Sequence, residues 1–215
     1  MKALLIPFKD PLRGKTRLSG LLSADVRRQL AWAMFEEVCR AAGEAKAPDR
    51  VVLVTSFEPA IERARTFGWD VIIEQAQVSE SASVDYASRL LKERGFNRVM
   101  RLPADVPLVR AEDIDEFMAS EIGEPAALMV PSREGTGTNA IIRAPADLFP
   151  SRFGPNSLAL HKEEARRVGV ECMISENPRI ALDIDEPADI EMLMREGRGT
   201  SAFDLLAGID LRSEI

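Results

Sequence analysis

The chain has 215 residues, 46% apolar and 29% charged, enough for one compact domain with a sizeable core and short of a comfortable two-domain count. This composition excludes a disordered or coiled-coil chain, and no apolar run reaches membrane-spanning length. The net charge of −7, without a long basic stripe, argues against a nucleic-acid surface, while a local cluster of Lys, Arg and backbone N–H groups still suits a small anion.

The opening run Met1 to Pro7 turns polar too soon for a signal peptide, so a cytoplasmic address with no membrane partner is the expectation. Ala3 to Phe8 reads as a buried strand. A basic loop follows, Lys9-Asp10-Pro11-Leu12-Arg13-Gly14-Lys15-Thr16-Arg17. Ser23 or Asp25 starts a helix whose apolar face is Val26, Leu30, Ala33, Met34, Val38 and Ala41. Strands are expected at Arg50 to Thr55, Asp70 to Ile73, Val99 to Leu102 and Ala126 to Val130. Helices at Glu58 to Phe67, Ser83 to Arg94 and Glu112 to Ser120 alternate with them.

That alternation predicts parallel βαβ units in an α/β fold: a single domain with a doubly wound, mostly parallel sheet. Ligands of such sheets sit beyond the carboxyl ends of the strands, which marks the loop after Phe8 and the turns after Thr55 and Leu102. After Val130 the rhythm breaks. Ala140 to Arg143, Val170 to Ile174 and Ile180 to Ile184 read as strands, Leu158 to Val168 as a helix, and Asp185-Glu186-Pro187 as the start of a last helix to Arg195. Residues 1–196 are expected to form the domain. Residues 197–215 read as a weakly structured tail with a turn near Phe203 to Leu206. Cys39 and Cys172 stand in no metal-ligand spacing and read as reduced core thiols.

Four groups of residues can carry chemistry. Asp105 lies between Pro103 and Pro107 just past a buried strand, where its carboxylate points out of the sheet and suits a hard cation; a turn residue or cap is the alternative. Asp183 and Asp185 alternate, so both carboxylates share a face and repel unless a cation lies between them; helix capping by Asp185 is the alternative. Lys15 and Arg17, with Lys9 and Arg13 nearby, occupy the loop where phosphates bind in this architecture, although neither a Walker nor a dinucleotide glycine pattern is present; a solvated basic loop is the alternative. Gly135 to Asn139 and Phe153 to Ser157 offer glycine-freed N–H groups with hydroxyl and amide side chains, as either anion nests or ordinary turns. His161, the only histidine, sits among charged residues and reads as a surface or helix-end residue. Proton-relay chemistry is thus poorly supplied. Phosphoryl and nucleotidyl transfer needs little of it.

In order along the chain, several blocks resemble the guanylyltransferase family of deazaflavin coenzyme F-420 biosynthesis. They are Pro7-Phe8-Lys9 with Gly14-Lys15-Thr16-Arg17-Leu18 and Arg27; Leu102-Pro103-Ala104-Asp105-Val106-Pro107-Leu108; Gly137-Thr138-Asn139-Ala140; Phe153-Gly154-Pro155-Asn156-Ser157 with His161; and Leu182-Asp183-Ile184-Asp185-Glu186-Pro187. The resemblance runs from Leu4 to about Leu193. It implies a nucleotide-diphospho-sugar transferase-like fold, GTP as donor, Mg2+ as metal, and phosphoenolpyruvate, 2-phospho-L-lactate or 3-phospho-D-glycerate as acceptor. It further implies that Asp105, Asp183 and Asp185 hold the metal and that Lys15, with Lys9 and Arg17, meets the GTP phosphates. Thr138, Asn139, Gly154 and Ser157 would then bind the acceptor. Lys15 and Asp105 are the expected catalytic pair. Where relatives carry a Leu-Asn pair near the nucleoside, this chain has Glu80-Ser81-Ala82-Ser83-Val84. The rival readings are another nucleotidyltransferase or a metal-dependent glycosyltransferase on the same fold, and a non-catalytic nucleotide-binding regulator. A homodimer is the common default for such a chain.

Overall fold

A computed structural model describes residues 1–11, 14–74 and 78–209; Leu12 and Arg13 lie outside the described residues. In chain order the elements are β1 (Lys2–Pro7), α1 (Ala24–Glu44), β2 (Arg50–Thr55), α2 (Glu58–Thr66), β3 (Asp70–Ile73), α3 (Glu80–Glu93), β4 (Arg98–Arg101), α4 (Ala111–Ala119), β5 (Ala126–Pro131), β6 (Thr138–Ala144), α5 (Ser157–Arg167), β7 (Cys172–Ile174), α6 (Pro178–Ala181), α7 (Pro187–Glu196) and α8 (Ser201–Ala207). No helix among the described residues is long and apolar enough to cross a membrane.

The sheet has seven strands in the order β3-β2-β1-β4-β6-β5-β7. β1 pairs in parallel with β2 on one side and β4 on the other, so the winding reverses at β1 and opens a crevice at the carboxyl ends of these strands. β6 alone runs against its neighbours, antiparallel to both β4 and β5. It returns directly from β5 and slots in beside β4. This reversal puts Thr138, the first residue of β6, at the same sheet edge as the carboxyl end of β4, where Arg101 is opposite Ile141.

The two-residue side-chain period divides each central strand between two cores. Leu4 and Ile6 of β1 face Phe35 and Val38 of α1, together with α2 and α4. Ala3 and Leu5 face the other way, onto Val84, Ala87 and Leu91 of α3. α1 starts where the sequence places it. Ser23 accepts a hydrogen bond from the Val26 N–H, and Val26, Leu30, Met34, Val38 and Ala41 are buried. Cys39 is buried on the same helix and Cys172 is half-buried in β7; both thiols are free.

Two expectations are corrected. Ile180 to Ile184 is not a strand. Asn177 and Pro178 instead start a helical turn, with the Asn177 Oδ1 accepting from the Arg179 and Ile180 N–H groups at 3.1 and 3.0 Å. The chain then runs extended through Leu182 to Asp185 without a strand partner. Within the expected weakly structured tail, the described residues 198–209 include a docked helix, and residues 210–215 lie outside the described residues. Thr200 caps α8, whose Ala202 and Leu206 are buried with Leu30 and Met34 of α1 and Leu193 of α7. The half-turn pattern was visible, but the surface that covers it comes from a helix 170 residues upstream in no local pattern. Burying Leu206 here predicts that Leu206→Ala lowers unfolding free energy by roughly 2–5 kcal/mol in urea titration; a loss below ~0.5 kcal/mol, typical of a surface position, would mean that α8 is undocked.

Candidate active site

Two cavities meet at the crevice. One, of about 310 Å³, lies against the loop after β1 and is lined by Pro7, Phe8, Lys9, Lys15, Met34 and Ala104 among others. The second, of about 480 Å³, is polar and is lined by the β5–β6 turn, the 153–157 loop, Asp183 and Asp185. Glu80, Arg101, Pro103, Asp105 and Asp185 line both, so they form the wall between the cavities.

Lys15 sits at the centre. Its backbone is in the left-handed region at φ 55°, ψ 38°, an uncommon conformation for a lysine. From there its Nζ donates to Asp105 Oδ2 at 2.6 Å and to Asp185 Oδ1 at 2.7 Å, with the Lys15 side chain only 9% exposed. Burial works against the ammonium charge, but the two carboxylates outweigh it and raise the Lys15 pKa. Burial equally opposes charge on Asp105, where the Lys15 ammonium prevails and holds the carboxyl below its usual range.

Asp183 completes the acidic group. Leu182 and Ile184 point into the core and Asp183 and Asp185 point out, so the alternation foreseen from the sequence holds although the segment is not in the sheet. Ile184 N–H donates to the Asp105 backbone oxygen at 3.1 Å, which fastens the two acidic segments together. Asp185 is free of capping duty, because α7 is capped by Glu186 and Asp189. Carboxylate oxygens of Asp105, Asp183 and Asp185 lie within 4.8 Å of one another. Burial, then the neighbouring Asp105 charge, push the Asp183 carboxyl up to about 6, the behaviour of a group short of positive charge. Three carboxylates share one ammonium, so the donor set and its charge deficit fit a hard divalent cation.

Residues of the polar cavity are tied together by their own hydrogen bonds. Thr138 N–H donates to Ser157 Oγ at 2.8 Å. Asn139 Nδ2 donates to Asp183 Oδ1 at 3.0 Å and to the Ile180 and Ala181 carbonyls. Gly137 is required by close approach, since a Cβ there would meet Ser132 Oγ at 2.6 Å; Gly154 is required by its φ of +123°. Lys9 lines the smaller cavity, whereas Arg17 stands at the rim of the polar one, 3.4 Å from Glu186 with both side chains more than half exposed. Of the three suspected segments, the loop after β1 and the turn after β4 converge; the turn after Thr55 lines neither cavity.

His161 corrects the surface reading. It is fully buried behind the polar cavity, where Nε2 accepts from the Arg152 N–H at 2.8 Å and Nδ1 lies 3.1 Å from Thr138 Oγ1. An accepting Nε2 places the proton on Nδ1, so the ring donates to Thr138 and fixes its hydroxyl. Its signal in the sequence was the spacing of four from Ser157, which puts both on one helix face. Arg101 escaped the sequence reading, and Glu80 entered it only as the first residue of the segment 80–84, with no role of its own. The hint for Arg101 was a charge at the carboxyl end of β4, directly before Leu102-Pro103-Ala104-Asp105.

A parallel sheet reversed at β1, a lysine on the loop after it and three converging aspartates at its carboxyl edge define a nucleotidyltransferase. The family described as Guanylyl transferase CofC like matches residues 1–215, and the chain belongs to that family. It is 32% identical over 192 residues to the phosphoenolpyruvate guanylyltransferase of Conexibacter woesei, covering 88% of this chain and 85% of that protein. It is 30% identical over 190 residues to the 3-phospho-D-glycerate guanylyltransferase of Colwellia psychrerythraea, covering 88% and 90%. To the 2-phospho-L-lactate guanylyltransferase of Methanothermobacter thermautotrophicus it is 28% identical over 202 residues, covering 94% and 88%. Among solved structures, a protein of Desulfovibrio desulfuricans G20 named for the nucleotide-diphospho-sugar transferases has the same fold, with a TM-score of 0.79 at 17% identity over 99% of this chain and 97% of that one. A cytidylyltransferase from Leptospira borgpetersenii gives a TM-score of 0.61 at 17% identity over 99% and 94%.

Burial, and then the nearby Arg143 and Arg101 charges, drive the His161 pKa down to about 3. A folded-state pKa below the unfolded value of ~6.5 means that the unfolded chain takes up the proton first. Stability is therefore full above ~6.5 and falls as the pH drops toward 3. His161→Gln should flatten that acid slope by up to one proton in urea titrations between pH 4.5 and 7; an unchanged slope would show that the ring is protonated in the fold.

Proposed function

We propose that this chain moves GMP from GTP onto a small phosphorylated carboxylic acid (phosphoenolpyruvate, 2-phospho-L-lactate or 3-phospho-D-glycerate) with release of pyrophosphate, as a cytoplasmic step of coenzyme F-420 biosynthesis. The observation that carries this reading is the Lys15 ammonium, on the smaller apolar cavity, clamped between Asp105 and Asp185, which stand on the wall that cavity shares with the polar one. The names of the relatives supply the donor and the acceptor class.

In this reading GTP enters from the loop side, with its triphosphate along Lys15 and Lys9. The acceptor lies in the polar cavity, its phosphate and carboxylate held by Thr138, Asn139, Ser157 and the backbone at Gly154. Arg17 at the rim adds positive charge to the entrance. An acceptor phosphate oxygen attacks the α-phosphorus of GTP, a new P–O bond forms, and the bond to the β-phosphate oxygen breaks to release pyrophosphate. A phosphate monoester with a second pKa near ~6 is already ionised at neutral pH and needs no general base. That agrees with a site whose one histidine is buried and neutral. Lys15 follows the developing charge on the leaving pyrophosphate. Asp105, Asp183 and Asp185 would hold a divalent cation, proposed to be magnesium, which when bound neutralises phosphate oxygens and orients them.

Asp105→Asn should lower pyrophosphate release from GTP plus acceptor by about a thousandfold, the loss of several kcal/mol of transition-state stabilisation; near wild-type release would reject the role of this carboxylate. Mass analysis of the products formed with each of the three acids identifies the acceptor, and the absence of a guanylylated product from all three would reject the reaction.

A further inference from the structure

We propose that the smaller, apolar cavity receives the purine of the donor and that Glu80, held in place by Arg101, reads guanine through its N1–H and 2-amino group. The inference rests on the guanylyl-transfer reading and assigns its base selection.

The two cavities differ in chemistry. Pro7, Phe8, Pro103 and Ala104 give the smaller one walls suited to a flat heterocycle, with Lys15 at the phosphate end. Glu80 is the carboxylate on the shared wall. A carboxylate beside bound phosphates is repulsive unless a cation neutralises it and a donor needs it. Arg101 supplies the first condition. Its guanidinium is buried, with Nη1 donating to the Asn139 carbonyl at 2.7 Å and Cζ over the Phe153 ring, 4.1 Å from its centroid. With those anchors fixed, Nη2 forms an ion pair with Glu80 Oε1. The Glu80 side chain is still 34% exposed, so its oxygens remain open to a ligand.

Guanine supplies the second condition. N1–H and the 2-amino group are adjacent parallel donors, the complement of a carboxylate. Adenine presents an acceptor at N1 and is repelled. A site built to accept those two protons discriminates against an analogue that lacks one, because a charge-assisted hydrogen bond is lost.

The test compares GTP, inosine triphosphate (which lacks the 2-amino group) and ATP as donors at fixed acceptor, for wild type, Glu80→Gln and Arg101→Lys. Glu80→Gln is isosteric and partly exposed, so the fold is kept. Wild type should favour GTP over inosine triphosphate by about tenfold or more in kcat/KM, the value of one charge-assisted hydrogen bond. Glu80→Gln should lower kcat/KM for GTP about 10- to 100-fold and bring the GTP-to-inosine ratio close to one, with the acceptor KM unchanged. Arg101→Lys, which keeps the charge and loses the fixed fork, should fall between the two. An unchanged GTP-to-inosine ratio in Glu80→Gln, or a loss confined to the acceptor KM, overturns the assignment. Calorimetric binding of GDP and inosine diphosphate separates the two levels. If GDP is preferred in a Glu80-dependent way while no acceptor is guanylylated, the transfer reaction fails and base recognition stands.

Discussion

The site depends on how three carboxylates are kept together at one edge of a sheet. Asp105 follows β4, whereas Asp183 and Asp185 come from the far end of the chain, and at this separation their mutual repulsion opposes folding. Lys15 offsets part of it by bridging Asp105 and Asp185, ion pairs that span 90 and 170 residues. Partial burial of such pairs costs desolvation that apolar packing of the same volume would avoid, a cost that accords with the role proposed for them. Backbone ties carry the rest. Ile184 N–H meets the Asp105 carbonyl, and Asn139 gathers the Ile180 and Ala181 carbonyls together with the Asp183 carboxylate. The crevice is thus closed by the same contacts that seat the last third of the chain.

What the sequence disclosed follows from what periodicity reports. Apolar runs located β1, β2, β4 and β5, and the proline-flanked Asp105 and alternating Asp183 and Asp185 stood out because charges rarely end buried segments without reason. The reversed strand β6 was visible as a strand, but its insertion between β4 and β5 was not, because pairing order is set by which neighbours bury each face. The same limit explains His161. Charged neighbours on its helix suggest a solvent face, yet the ring lies on the side that Thr138 and Arg152 cover. Ile180 misled through its apolar neighbours; the Asn177-Pro178 start signal was the stronger local evidence. The role of Arg101 and Glu80 was hidden for a different reason, since Arg101 belongs to no motif, Glu80 stood out only as part of the segment 80–84, and each gains meaning only from the other.

That pair also links the two halves of the site. Ser81, next to Glu80, accepts a hydrogen bond from the Phe153 N–H at 2.9 Å, and Phe153 lies beneath the Arg101 guanidinium. Arg101 in turn holds the Asn139 carbonyl, one residue from the Thr138 N–H that donates to Ser157. The start of α3, the end of β4, the start of β6 and the loop before α5 are therefore one connected brace. Glu80 and Arg101 line both cavities, and Thr138, Asn139, Phe153 and Ser157 line the polar one, so a shift that loosens the 153–157 loop also moves the carboxylate beside the smaller cavity. In-line transfer demands that two independently bound molecules meet with their reacting atoms aligned, and a misplacement of about 1 Å is worth roughly a hundredfold in rate. For the proposed transfer, a common wall satisfies that demand more economically than two separately anchored sites, because it would fix the distance between donor and acceptor before either arrives.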